Sequence, residues 1–94
     1  MNAAEKRFRD LARSKHWGII RPSWPDFLCR DGDELFAVEV KHDNDWVSDK
    51  QRETFDFLTR HGFRVLIWHT AFHKTLFEWE DVRDDWPGRD RKRS

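Results

Sequence analysis

Two runs of residues, Pro25–Arg30 and Glu34–His42, flank the tripeptide Asp31-Gly32-Asp33, and this arrangement constrains the chain more than any other feature. Asp-Gly between strand-like runs is a strong hairpin signal, because a glycine supplies the positive φ that a tight turn needs. Side chains alternate along a strand, so the length of the loop decides which residues share a face. If Gly32-Asp33 form the loop, Asp26 sits directly opposite Glu39. If Asp31-Gly32 form it, the two are diagonal neighbours. Either even loop leaves them on one face; a three-residue loop would separate them. That face holds Asp26, Leu28, Ala37, Glu39 and Lys41. The opposite face holds Phe27, Cys29, Phe36, Val38 and Val40, is apolar, and is expected to be the core.

Like charges opposed across a strand pair destabilise by up to ~1 kcal/mol. A divalent cation held between Asp26 and Glu39 reverses the sign of that interaction, which is the physical reason to expect a metal site. Hard oxygen donors suit Mg²⁺ or Mn²⁺, which need few carboxylates because water and phosphate oxygens complete their shell. The Val40 backbone carbonyl is a further candidate ligand. Lys41, two positions from Glu39, points at the same place. Its expected role is to orient or deprotonate an attacking water, or to stabilise charge on a phosphate under attack.

The remainder reads as support for this hairpin. Ala4, Phe8, Leu11 and Ala12 form one stripe of an amphipathic helix from about Ala3 to His16, with Gly18 expected to stop it. Gly18–Arg21 reads as a short strand closed by Pro22-Ser23. After a polar loop, Ser48-Asp49-Lys50-Gln51 has the form of a capping box that opens a second helix. Gln51, Phe55, Leu58 and Gly62 share its sheet-facing side. Gln51 is therefore either a capping residue or a polar group at the edge of the reactive face; the pattern favours neither. Phe63–His69 is a dense apolar strand expected in the middle of the sheet. A turn over Thr70–Lys74, a strand near Thr75–Trp79 and a helical turn or two over Glu80–Trp86 follow.

Ninety-four residues make one domain with a small core, and 6 Trp and 8 Phe supply large apolar surfaces to fill it. The charges balance at 18 against 18, which argues against indiscriminate nucleic-acid binding. Their distribution is uneven. Arg9, Arg13 and Lys15 lie on the first helix, and residues from about 87 to 94 form a basic tail; both are candidates for phosphate contact, or equally a solvated face and a disordered end. His42, Ser48, Lys50 and Arg52 are further candidates around the loop and second-helix start. A single cysteine, Cys29, permits no internal disulfide and suits a reducing, intracellular compartment. No apolar run reaches membrane-span length, and the first residues lack a signal-type apolar core. His69 and His73 are four apart but straddle a strand end, so they are read as ordinary polar residues rather than zinc ligands. The acidic run Glu78, Glu80, Asp81, Asp84 and Asp85 is read as a solvated face, and Trp46 as a core residue rather than a base-stacking platform.

Pro25-Asp26 followed by Glu39-Val40-Lys41 resembles the PD-(D/E)XK nuclease superfamily. Phe36–Lys41, Asp45-Trp46-Val47-Ser48, Gln51-Arg52, Leu58, Gly62 and Phe63–Ile67 are similar to its VRR-NUC group over roughly Glu5 to Trp68. The resemblance implies an α/β fold, a mixed sheet with a restriction-endonuclease-like core in the order helix-β-β-β-helix-β and a short C-terminal extension. It implies metal binding by Asp26 and Glu39, Lys41 as the catalytic lysine, Gln51 lining the site, and Glu5 as an acid supplied by the first helix, to a second metal or through water. It further implies a homodimer of phage or mobile-element type acting on branched DNA, Holliday-junction or flap-like, without a nucleotide cofactor. A nicking or homing-type sequence-specific endonuclease and a non-catalytic nucleic-acid-binding module with a nuclease-like fold are the alternatives.

Overall fold

The computed structural model describes residues 2–84. The chain forms α1 (Ala3–Ser14), β1 (Phe27–Asp31), β2 (Glu34–Lys41), α2 (Asp49–Arg60), β3 (Arg64–His69), β4 (Leu76–Glu78) and α3 (Trp79–Val82), with 3₁₀ turns at Arg21–Ser23 and Thr70–Phe72. The strands make one sheet in the order β1-β2-β3-β4. β1 and β4 run antiparallel to their neighbours, while β2 and β3 are parallel. Parallel neighbours need a crossover, and α2 provides it.

The hairpin takes the first of the two registers. Asp31 pairs with Glu34 and Phe27 with Val38, so Gly32-Asp33 are the loop and Gly32 carries the positive φ, 61°. α2 starts where the capping box places it. The Ser48 hydroxyl accepts from the Gln51 N–H, and the Gln51 side chain accepts from the Ser48 N–H. It stops at Gly62, whose φ of 85° lets the Phe63 N–H turn back to the Leu58 carbonyl at 2.9 Å.

The core lies on the other face from the one expected. The buried cluster is Val47, Phe55, Val65, Ile67, Trp79 and Val82. Val65 and Ile67 pair with Ala37 and Glu39, so α2 covers the face that carries the carboxylates and the lysine. On the opposite face Val38 and Leu66 are buried, but Phe27 is 58% exposed and Cys29 is half-buried. Both faces of the two central strands are apolar enough to serve as core, and alternation alone does not choose between them. Arg64 caps the open face, bonding Glu34 and Glu78 while lying 5.7 Å over the Phe36 ring.

Two further expectations need correction. Gly18–Arg21 is not a strand; Ile19 and Ile20 are partly exposed, and the chain turns at Arg21–Ser23, where the buried Ser23 hydroxyl meets that of Thr54 at 2.6 Å. The order is therefore helix-β-β-helix-β-β with a terminal helical turn. Nor does Gly18 end α1. His16 takes the left-handed conformation, φ 62°, and the Trp17 N–H closes onto the Ala12 carbonyl at 2.9 Å. The basic tail from about 87 and Asp85 lie outside the described residues.

Phe55 and Trp79 are both fully buried, with rings 5.4 Å apart and edge to face. Truncation of such a ring leaves a cavity, so Phe55→Ala should lower the unfolding free energy by about 3–5 kcal/mol in urea titration. Trp46, 6.3 Å from Trp79, joins this cluster as a core residue. Asp56 accepts from the Trp79 indole at 2.8 Å and from the Arg83 guanidinium at 2.6 and 2.8 Å. The bonds to Arg83 hold its carboxyl below the usual 3.8, against the opposing effect of burial. A lowered folded pKa contributes stability above the unfolded value and loses it as pH falls through the folded one. Asp56→Asn should thus cost about 1–2 kcal/mol at neutral pH and less once acid protonates Asp56 in the folded state, seen as converging melting curves of variant and wild type on acidification.

Candidate active site

The last residues of β2 and the first turn of α2 meet in one polar cluster inside an otherwise apolar layer. Glu39 is 3% exposed and Lys41 5%. Strand alternation points both toward α2, and the capping box sets Gln51 directly over them. The Gln51 amide donates to Glu39 Oε2 at 2.9 Å, and its carbonyl oxygen accepts from Lys41 Nζ at 3.0 Å and from the Ser48 N–H at 3.1 Å. Lys41 Nζ also lies 3.1 Å from Glu39 Oε2. Capping and contact with the lysine are thus one role, since the same oxygen caps the start of α2 and accepts from Lys41.

Asp26 reaches the cluster from the rim and is exposed. Its Oδ2 accepts from the Val40 N–H at 2.9 Å. Continued past the end of β1, the register would set Pro25 against Val40, and proline has no N–H to give. Asp26 takes the Val40 N–H, and the fully buried Pro25 offers no backbone donor to the Val40 carbonyl. This gives a physical meaning to the Pro-Asp pair: it frees the edge of β2 one residue beyond Glu39.

Glu39 carries the electrostatic tension of the site. Burial raises its carboxyl above the usual 4.5; Lys41 and Gln51 oppose that, and the Asp26 charge adds to it. Its Oε2 is doubly bonded, whereas Oε1 is buried with no hydrogen-bond partner. An unsatisfied buried acceptor costs about 1–3 kcal/mol, and native structures retain few of them.

The other candidates fall in different places. Glu5 faces Arg21 at 3.6 Å beside a groove of about 360 Å³ that Phe8, Arg9 and Ile19 also line. No group of three or more acidic, histidine or cysteine side chains fit to hold a metal occurs among the described residues, so Glu5 does not join Asp26 and Glu39. α1 is short and its ion pair ties Glu5 to the segment after it. Arg13 is 3.8 Å from Asp10, and Lys15 lies 6.0 Å from the Trp17 ring. His42 sits 3.3 Å from Asp43, Ser48 serves as helix cap, and Lys50 is exposed. Arg52 bonds Asp84 at 2.9 Å and lies 5.6 Å from the Trp79 ring. Asp84 and Glu78 of the acidic run are thereby ion-paired, and Glu80 and Asp81 are exposed.

Asp45, expected only as part of the family-like stretch, and His69, expected as an ordinary polar residue, have roles here that the sequence did not assign. Asp45 stands 3.8 Å from Lys41 Nζ as a second acidic neighbour. His69 is buried; its Nδ1 accepts from the Ala71 N–H at 3.0 Å and its Nε2 donates to the Asp43 carbonyl at 3.0 Å, pinning the loop that carries Asp45. Its only signal was its position at the end of a buried strand, pairing with Lys41.

A carboxylate and a lysine two apart on β2, an aspartate at the rim of the same hairpin, and a parallel strand reached through the capping helix define a nuclease-type domain of the PD-(D/E)XK kind. The VRR-NUC domain model matches residues 1–72 of the 94, and the chain belongs to the VRR-NUC family. Membership makes it a nuclease with DNA as its substrate. No curated protein and no solved structure matches the chain. No helix among the described residues is long and apolar enough to cross a membrane.

Proposed function

We propose that this protein is a divalent-metal-dependent DNA endonuclease that hydrolyses phosphodiester bonds, with Mg²⁺ or Mn²⁺ as its ion. The observation that carries the metal is Glu39 Oε1, a buried carboxylate oxygen without a donor. A cation satisfies such an atom where another hydrogen bond is lacking. The donor set fits: Glu39 Oε1, the Asp26 carboxylate and the Val40 carbonyl are all hard oxygens, as Mg²⁺ and Mn²⁺ prefer. When bound, the ion supplies Lewis-acid polarisation of the phosphate and a more acidic water. The chain's own residues supply the rest. Lys41, held by Gln51 and Glu39, places an N–H donor beside the carboxylates, where it can orient a nucleophilic water or bind an oxygen of the phosphate. Buried side chains keep that donor from rotating away, which is the preorganisation such catalysis requires.

We further propose a homodimer selective for branched DNA, junction-like or flap-like. The support is the VRR-NUC resemblance together with apolar surface that the described fold leaves uncovered on α1, Phe8 at 51% and Leu11 at 46% exposed. Two sites related by a two-fold axis suit a substrate with two cuttable strands.

Cleavage of a four-way junction, a flap and supercoiled plasmid should require Mg²⁺ or Mn²⁺, be abolished by chelation, and be fastest on the branched substrates. Mn²⁺ should also raise the melting temperature in an Asp26-dependent way, since a ligand bound only by the folded state stabilises it. Metal-independent cutting would overturn the assignment. A protein that binds junctions but cuts nothing under any divalent ion would be a binding module with a nuclease fold.

A further inference from the structure

The face that α2 covers over β2 and β3 continues onto β1, and there it is open. Leu28 and Arg30 occupy alternate positions along β1 on that face, fixed by the pairing of Leu28 with Ala37 and of Arg30 with Leu35, and Asp26 stands one residue before the strand in the same alternation. All three are exposed, Leu28 at 57%, and Leu35 beside them is 52% exposed. Among the described residues Arg7, Arg9, Arg30 and Arg60 form no ion pair with a carboxylate, whereas Arg13, Arg21, Arg52, Arg64 and Arg83 each have one; of the four, Arg30 is the one that lies on β1. An unpaired guanidinium and two exposed leucines next to a reactive carboxylate gain nothing for the free fold.

We propose that this row is the track of the DNA strand being cut, with Arg30 binding a phosphate that flanks the scissile one and Leu28 lying against the sugar or base between them. The inference rests on the nuclease reading above. Alternate residues on a strand are about 6.6 Å apart, so Arg30 is anchored roughly 13 Å from Asp26. Its long, planar side chain reaches back along that span and presents a fork of donors matched to phosphate oxygens. Neighbouring phosphates of the same strand fall within this distance, since DNA carries one charge per ~3.4 Å of axis on each strand. The apolar step at Leu28 is chemically matched to the deoxyribose and base that separate two phosphates. Arg30 is thus a binding residue for the substrate backbone and takes no part in the bond-breaking step.

The test uses the full chain and a fluorescein-labelled four-way junction, with a plain duplex alongside, in chelator so that no cutting occurs. Arg30→Ala should weaken binding to both DNAs roughly 10-fold at low salt and make the plot of log affinity against log salt shallower by about one. Arg30→Lys should retain the wild-type slope. Leu28→Ser should weaken binding a few-fold, at the scale of one lost apolar contact, with the slope unchanged. In cleavage assays with Mn²⁺, Arg30→Ala should raise KM and leave kcat intact. Arg30→Ala with wild-type affinity and slope would overturn the proposal. So would loss of affinity in Arg30→Ala or Leu28→Ser accompanied by a halved mass in sedimentation, because a second copy of the chain would then be what covers this face. Wild-type protein that binds but does not cut defeats the nuclease reading, while the chelator binding data still decide the role of Arg30.

Discussion

Lys41→Gln is expected to give a folded protein that cuts DNA about 10²–10⁴-fold more slowly. The choice of glutamine follows from the site. Lys41 is buried against Glu39, so truncating it to alanine leaves a carboxylate without its cation, and breaking a buried pair costs about 3–5 kcal/mol. Two features soften that loss: the Gln51 amide still donates to Glu39 Oε2, and burial already favours the protonated acid. Lys41→Ala should nonetheless be visibly less stable, and its inactivity alone would say little. Glutamine at 41 keeps an N–H donor within reach of Glu39 and removes only the charge and its reach. A pair of urea melts and single-turnover cleavage time courses separate the two effects. If Lys41→Gln melts like wild type and cuts at the wild-type rate, Lys41 is a structural partner of Glu39 and has no catalytic role.

The hairpin and the helix that follows it were legible because each rests on a local rule. Gly32 fixes a turn, the turn fixes a register, and the register pairs Phe27 with Val38 so that Asp26 follows on beside Glu39 and Val40; Ser48 and Gln51 cap α2 in the way their spacing demands. The choice of core face was not local. It depends on which side of the sheet α2 crosses, and the charges of Asp26, Glu39 and Lys41 suggested an open face when two of the three are buried. The position of Gln51 on the sheet-facing side of α2 already required the opposite, because a residue cannot line the reactive face from a helix packed on the other one. Gly18–Arg21 looked like a strand from Ile19 and Ile20, but no strand edge lies beside it; the sheet ends at β1. The contacts of Asp45 and His69 were not legible for a third reason: they depend on the path of the loop between β2 and α2, where Asp43 turns with φ 52° and no periodicity applies.

Glu39→Gln should abolish cleavage and metal binding without destabilising the metal-free protein, and a small gain in melting temperature in chelator is the expected result. As a carboxylate, Glu39 pays for desolvation in a nearly closed site and stands near the charge of Asp26; Lys41 and the Gln51 amide return part of that cost. A glutamine at 39 is neutral and nearly the same shape. It can still accept from Lys41 or Gln51 through its carbonyl oxygen, and its amide can take the place where Oε1 now lacks a partner. The desolvation term and the repulsion from Asp26 both disappear, whereas the loss is confined to the charge component of one ion pair. Buried ion pairs replaced by neutral groups of similar volume are often neutral or stabilising. The metal reverses the ranking. A neutral amide is a poor ligand for Mg²⁺ or Mn²⁺ in a site with one remaining carboxylate, so the melting temperature of Glu39→Gln should not respond to Mn²⁺ while that of wild type rises. The curves should cross, with the variant more stable in chelator and the wild type more stable in saturating Mn²⁺. A variant that loses stability equally in both conditions would mean that Glu39 is held in place for the fold, and that its unpartnered oxygen has nothing to do with a cation.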